Sequence, residues 1–160
     1  MASTYTPSHT DFVVEFKSGD FASSLITRRD FAPGEILAFL TEGRRSARTY
    51  QTDNIDLNSD FAYSNHSCVP NAVFDLSSTD PAKWNVRALT NIPAGTPVVW
   101  FYPSTEWEMI QPFECQCGTE QKKCVGRIQG AKALTYAEVA GRGWISPWIE
   151  ELMMEREKRR

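Results

Sequence analysis

Apolar residues along this chain fall in short runs, each closed within a few positions by Gly, Pro, Asn, Asp or Ser. Phe12 to Phe16 gives way to Ser18-Gly19-Asp20, Leu25 to Thr27 leads into Pro33-Gly34-Glu35, and Ile36 to Leu40 runs into Thr41-Glu42-Gly43. Further runs are Asn54 to Leu57, Ala72 to Leu76, the alternating Trp84 to Leu89 and, after the Pro93-Ala94-Gly95 turn, Val98 to Tyr102. Strands so short and so closely punctuated predict a mainly β fold of small sheets rather than a βαβ array. In the last run, Val98 and Trp100 stand at period two and read as core. Residues 103–130 lose all period and are rich in Gly, Pro, Cys and Gln, so something other than secondary structure must hold them. Helical signals come last: Thr135 as N-cap of Tyr136 to Ala140, then Ser146-Pro147 opening a helix through Met154, with the all-charged Glu155 to Arg160 expected to fray.

Composition narrows the class. With 160 residues and 41% hydrophobic content, the chain has the size and the apolar mass of one domain with its own core. A formal charge of −3 gives no broad basic field, so bulk gripping of a nucleic-acid backbone is not expected. The doublets Arg28-Arg29 and Arg44-Arg45 read as solvated turn residues. The first twenty residues lack a basic start followed by an apolar stretch, and no window is apolar enough to span a bilayer, so the expectation is a cytoplasmic or nuclear protein, not a secreted one. In that compartment the four cysteines are metal ligands before they are disulfides. Four thiolates are the complement of a closed tetrahedral zinc site.

Three motifs in order carry the candidate chemistry. Asn65-His66-Ser67-Cys68-Val69-Pro70-Asn71 comes first, the apolar run ending at Tyr102 follows some thirty residues later, and Cys115-Gln116-Cys117-Gly118 with Cys124 closes the set. The combination resembles the SET-domain family of protein lysine methyltransferases with its cysteine-rich post-SET segment. Arg29-Asp30-Phe31-Ala32-Pro33-Gly34-Glu35-Ile36 looks like that family's early turn, and Tyr102-Pro103-Ser104-Thr105-Glu106-Trp107 is similar to small stand-alone members of fungal and bacterial type.

The resemblance implies a SET core over 11–109, a post-SET segment over 110–130 and a helical extension over 131–160, with a threaded pseudoknot bringing the tyrosine segment beside Asn65-His66. It implies Tyr102 as the catalytic residue, Asn65, His66, Ser24, Tyr63 and Phe113 on S-adenosylmethionine, and Cys68, Cys115, Cys117 and Cys124 on one structural zinc. Aromatic side chains at Trp100, Phe101, Tyr102 and Tyr63 would line a channel for a lysine amine, and Phe113 or Gln116 would close over the cofactor. The chain departs from the pattern at Ala22 and Ser24, where the family carries Gly-x-Gly, at Thr96-Pro97, where it carries an acidic pair, and in the six residues between Cys117 and Cys124. Three readings stand: a methyltransferase of a protein or peptide lysine, the same pocket turned to a small molecule, or a binding module without catalysis. No membrane partner is expected.

Overall fold

The computed structural model describes residues 4–45, 55–120 and 122–160. Eleven short strands and two helices follow in order among them: β1 Phe12–Glu15, β2 Ser24–Thr27, β3 Ile36–Phe39, β4 Arg44–Arg45, β5 Ile55–Asp56, β6 Asn65–His66, β7 Ala72–Asp75, β8 Asn85–Ala88, β9 Val99–Trp100, β10 Phe113–Glu114, β11 Arg127–Ile128, α1 Tyr136–Ala140 and α2 Pro147–Lys158. The strands make small sheets, antiparallel except for the pair β6 and β9. The fold is β-rich, as the punctuated apolar runs predict. Asn54 and the side chains of Arg44 and Arg45 lie outside the described residues.

Alternation explains the larger sheets. In β2 and β8 every second side chain is buried, and β8 sits between β3 and β7 with Val86 opposite both Ala38 and Phe74. The register slips between Ile36 and Ala38, a bulge that bends β3. Phe31 and Ile92 exchange both backbone hydrogen bonds at 2.9 Å, which ties the two Pro/Gly turns together.

Two apolar cores result. The first gathers Phe12, Leu25, Phe31, Phe61, Phe74, Trp84 and Trp100 from the sheets. The second gathers Cys68, Phe101, Ile128, Val139, Ile149 and Met153 from the later segment and the helices. Trp100 and Phe101 are neighbours in sequence yet enter different cores, so the chain crosses the seam between them there.

Three expectations change. The strand expected from Val98 to Tyr102 is paired only at Val99–Trp100, and Tyr102 opens a 3₁₀ turn through Ser104 whose Thr105 N–H donates to the Tyr102 carbonyl. Pro103 sets that turn, since its ring fixes φ near the helical value and supplies no N–H for a ladder. The 103–130 segment is not wholly without pairing: β10 and β11 are antiparallel, Phe113 opposite Ile128. The second helix runs to Lys158 rather than fraying after Met154. Arg156 holds it there, donating to the Lys132 carbonyl at 3.0 Å and pairing with Glu157. The first helix has its expected cap: the Thr135 hydroxyl accepts from the Glu138 N–H while the Glu138 carboxylate accepts from the Thr135 N–H.

Candidate active site

The parallel pair β6 and β9 builds the site. Asn65 lies opposite Val99 and His66 opposite Trp100, and the Ser67 N–H continues the ladder to the Trp100 carbonyl at 2.9 Å. Asn71, at the far end of the motif, clamps the same strand: its N–H donates to the Val99 carbonyl at 3.1 Å, its Oδ1 accepts from the Val99 N–H at 3.0 Å, and its Nδ2 donates to the Pro97 carbonyl at 2.9 Å. The segment 65–71 is thus fastened along the whole length of β9. Asn65 reaches the other way, its Nδ2 donating to the Ser23 carbonyl at 2.7 Å and to the Phe21 carbonyl at 3.3 Å.

His66 and Tyr102 are held together by this ladder. The Tyr102 N–H donates to His66 Nδ1 at 3.2 Å, so Nδ1 carries no proton and Nε2 bears it, facing Cys68 Sγ at 3.5 Å. Burial, with the Arg142 charge adding to it, pushes the imidazole down to about 4, so the ring is neutral at physiological pH. The Tyr102 hydroxyl donates to the Ser64 carbonyl at 3.1 Å and keeps its oxygen free to accept. Burial raises this phenol well above its ordinary value and the nearby Glu106 charge raises it further, so it stays protonated.

These groups open on a cavity of about 420 Å³, within the range of small-molecule sites. Asn65, His66, Tyr102, Phe113, Gln116 and Cys117 line it, together with Phe21, Ser67, Asn71, Val99 and the Thr96-Pro97 pair. Phe21 stacks on Phe113 with ring centroids 5.1 Å apart, although its φ of 57° is unusual for a bulky residue and its side chain is 60% exposed. Across the cavity floor the rings of His66 and Tyr102 meet edge to face at 5.2 Å.

Beside the cavity four thiols converge. The ligand atoms of Cys68, Cys115, Cys117 and Cys124 all lie within 4.8 Å of one another, and Cys68 Sγ is 3.7 Å from Cys115 Sγ. That gap excludes a disulfide and matches the edge of a tetrahedron of thiolates about 2.3 Å from zinc, roughly 3.8 Å. Burial pushes the Cys68 thiol up to about 11 and raises Cys115 as well. Burial also works against Cys117, yet hydrogen bonds led by Thr119 bring it down to about 6. Thiols raised in this way become thiolates only where a cation joins them. The quartet can hold a metal ion.

Comparison with known proteins adds a class. This chain is similar to a methyltransferase. The relative is "Methyltransferase flvH" of Aspergillus flavus, 41% identical over 100 residues that make up 62% of this chain and 53% of the relative. The chain therefore spans about half the length of the curated relative it matches. No family model matches the chain.

Of the residues singled out by sequence, Asn65, His66, Tyr102, Phe113 and the four cysteines come together here. Ser24 does not line the cavity; it pairs with Glu15 in the first sheet, one residue from the carbonyl that holds Asn65. Tyr63 stands outside the lining too, its exposed ring edge to face with Phe16. Trp100 and Phe101, expected along a channel, are buried in the two cores instead, because the strand turns them to opposite sides of the seam.

Sequence reasoning missed Phe21, Arg142 and Glu106. Arg142 donates to the Cys68 carbonyl at 2.6 Å and lies over the Phe101 ring at 5.2 Å, which steadies the motif from the far side. Nothing in its sequence context marks it. Glu106 is a partly buried carboxyl one turn after Tyr102, whose phenol its charge holds up, and its place in the Tyr102 to Trp107 stretch was the available signal.

Proposed function

We propose that this protein is a methyltransferase of the SET type, moving a methyl group from S-adenosylmethionine to the side-chain amine of a lysine in a protein or peptide. The observation that carries the reading is the meeting of Asn65-His66 with Tyr102 on one cavity wall, through a parallel strand pair that joins residues far apart in sequence. Its similarity to a methyltransferase supports the same class. When bound, S-adenosylmethionine supplies a methyl group on a positively charged sulfur, ready for direct displacement.

The chain's own groups then have defined work. The oxygen of the Asn65 amide, whose Nδ2 is spent on the Ser23 and Phe21 carbonyls, is left to face the donor, neutral His66 fixes the Tyr102 backbone beside it, and Phe113 and Phe21 offer ring faces to a flat base or to a cation. Tyr102 holds the acceptor: its hydroxyl proton is committed to the Ser64 carbonyl, so its oxygen accepts an N–H and turns the amine lone pair toward the cavity. Alignment of this kind can lower a barrier by roughly 7–11 kcal/mol. The apolar rings around the hydroxyl favour the neutral amine over the ammonium.

Zinc fits the thiol quartet by its chemistry and spacing, and it would pin the 103–130 segment, with Phe113 and Gln116, against the motif. Transfer of labelled methyl from S-adenosylmethionine to a lysine peptide library tests the reading, with a panel of small amines beside it. Labelling of peptides supports it. Labelling of amines alone moves the substrate to a small molecule, and binding without turnover of either leaves only the binding module. Tyr102→Phe is expected to lose about 10²-fold or more in turnover while melting within a few degrees of the native chain.

A further inference from the structure

Away from the cavity, α2 carries a second apolar stripe. Ile149 and Met153 are its fully buried face, packed into the second core. Trp148, Leu152, Arg156 and Arg159 follow one another at helical spacing on a neighbouring face. Opposite them stand Trp107 and Lys132, and the two sides line an open groove of about 600 Å³ that shares no residue with the first cavity.

The walls of the groove are fixed to each other. The Lys132 N–H donates to the Trp107 carbonyl at 2.9 Å, and Gly130, having no Cβ, leaves that carbonyl room. Arg156 spans both sides, donating to the Lys132 carbonyl at 3.0 Å with its guanidinium 5.8 Å from the centre of the Trp107 ring. Trp107, Trp148 and Leu152 are half-buried and leave an apolar floor partly open to solvent.

The charges above that floor are available. Arg159 is exposed and makes no ion pair among the described residues. Arg160 reaches Glu157 only at 3.9 Å, and that carboxylate already pairs with Arg156 at 3.2 Å. Lys132 pairs with Glu108 at 3.3 Å, both side chains being more than half exposed. Exposed pairs of this kind are weak and exchange readily for a better-placed acid. Cations in the last turn also complement the helix dipole, which accounts for Arg156 and Lys158. It accounts neither for two tryptophans beside them nor for Lys132 from another segment.

Charge decides the occupant. The lining carries four cations, Lys132, Arg156, Arg159 and Arg160, against one carboxylate, Glu155. A nucleic-acid backbone needs a longer basic track, and Glu155, Glu108 and Glu157 interrupt this one. A peptide with carboxylates beside apolar side chains matches both the rim and the floor. We propose that this groove docks an acidic peptide segment of a partner protein, seating an apolar side chain on Trp107, Trp148 and Leu152 while its carboxylates meet Lys132, Arg159 and Arg160. The proposal is independent of the methyl-transfer reading.

The test titrates the full chain against a fluorescein-labelled peptide in which aspartates alternate with leucine and phenylalanine. Fluorescence anisotropy is expected to show binding at least tenfold tighter than for the same peptide with asparagine in place of every aspartate, and weaker in 500 mM than in 50 mM NaCl. Arg159→Glu combined with Arg160→Glu, both at exposed positions, should weaken it at least tenfold, and the Gln pair should weaken it less. Nitrogen NMR should show the indole N–H signals of Trp107 and Trp148 moving with peptide. Equal affinity for the asparagine peptide, full binding by the doubly reversed chain, or unmoved Trp107 and Trp148 signals overturns the proposal. Tighter binding of a twelve-nucleotide oligothymidylate than of the acidic peptide overturns it too.

Discussion

Glu106 carries a cost that a stability measurement can read. Its carboxyl binds a proton more tightly folded than unfolded, about 7 against 4.5, so the penalty is absent below about pH 4.5 and complete above about 7. By linkage that difference is roughly 3 kcal/mol. Glu106→Gln is therefore expected to raise the melting temperature at pH 8 and to leave it nearly unchanged at pH 4.5; thermal scans at the two pH values check this, and equal shifts would show the carboxyl is not desolvated. His66 has the opposite sign, since a ring held neutral to about 4 loses stability as pH falls below its ordinary value. Residue identities at the motif were readable in sequence. The environment that sets their protonation was not, because it depends on how Phe101 and Phe113 pack around the ring and on the Arg142 charge, which nothing in its sequence context marks.

At the scale of elements, the later segment depends on close backbone contact as well as on thiols. Gly130 has φ of 103°, and a Cβ there would collide with the Trp107 carbonyl. Gly130→Ala is expected to destabilise the protein by about 3 kcal/mol, measured by denaturant unfolding, since both the backbone strain and the clash must be relieved. Chelation tests the proposed zinc: on that reading its removal exposes the amides of 103–130 to rapid hydrogen exchange while β1, β2, β3, β7 and β8 keep their protection. Uniform loss of protection would mean that the two cores fold as one unit. Elements with alternation, such as β2 and β8, were legible in sequence to within a residue or two. The two-residue strands β6 and β10 were not, since a pair of residues carries no period and is strand only through its partner.

The whole molecule is two cores with a cavity at their seam. Trp100 belongs to the first core and Cys68 and Phe101 to the second, and each is a chain neighbour of a cavity-lining residue: Val99, Ser67 and Tyr102. The chain crosses between cores twice near the site, at the Asn65 to Asn71 motif and at Trp100-Phe101, and the parallel pairing of β6 with β9 fastens the two crossings together. The fold class followed from punctuation alone, because short strands need frequent turns. This long-range pairing did not: only the resemblance of the motifs suggested it, and hydrogen bonds between residues 36 apart are what realise it. Among the described residues no helix is long and apolar enough to cross a membrane.

One measurement tests the cavity's assignment most directly, namely calorimetric titration of the zinc-loaded chain with S-adenosylhomocysteine. The account predicts one site of micromolar strength, weakened at least tenfold in Asn65→Ala. Absence of heat at millimolar ligand, or equal binding by the Asn65→Ala protein, would contradict it.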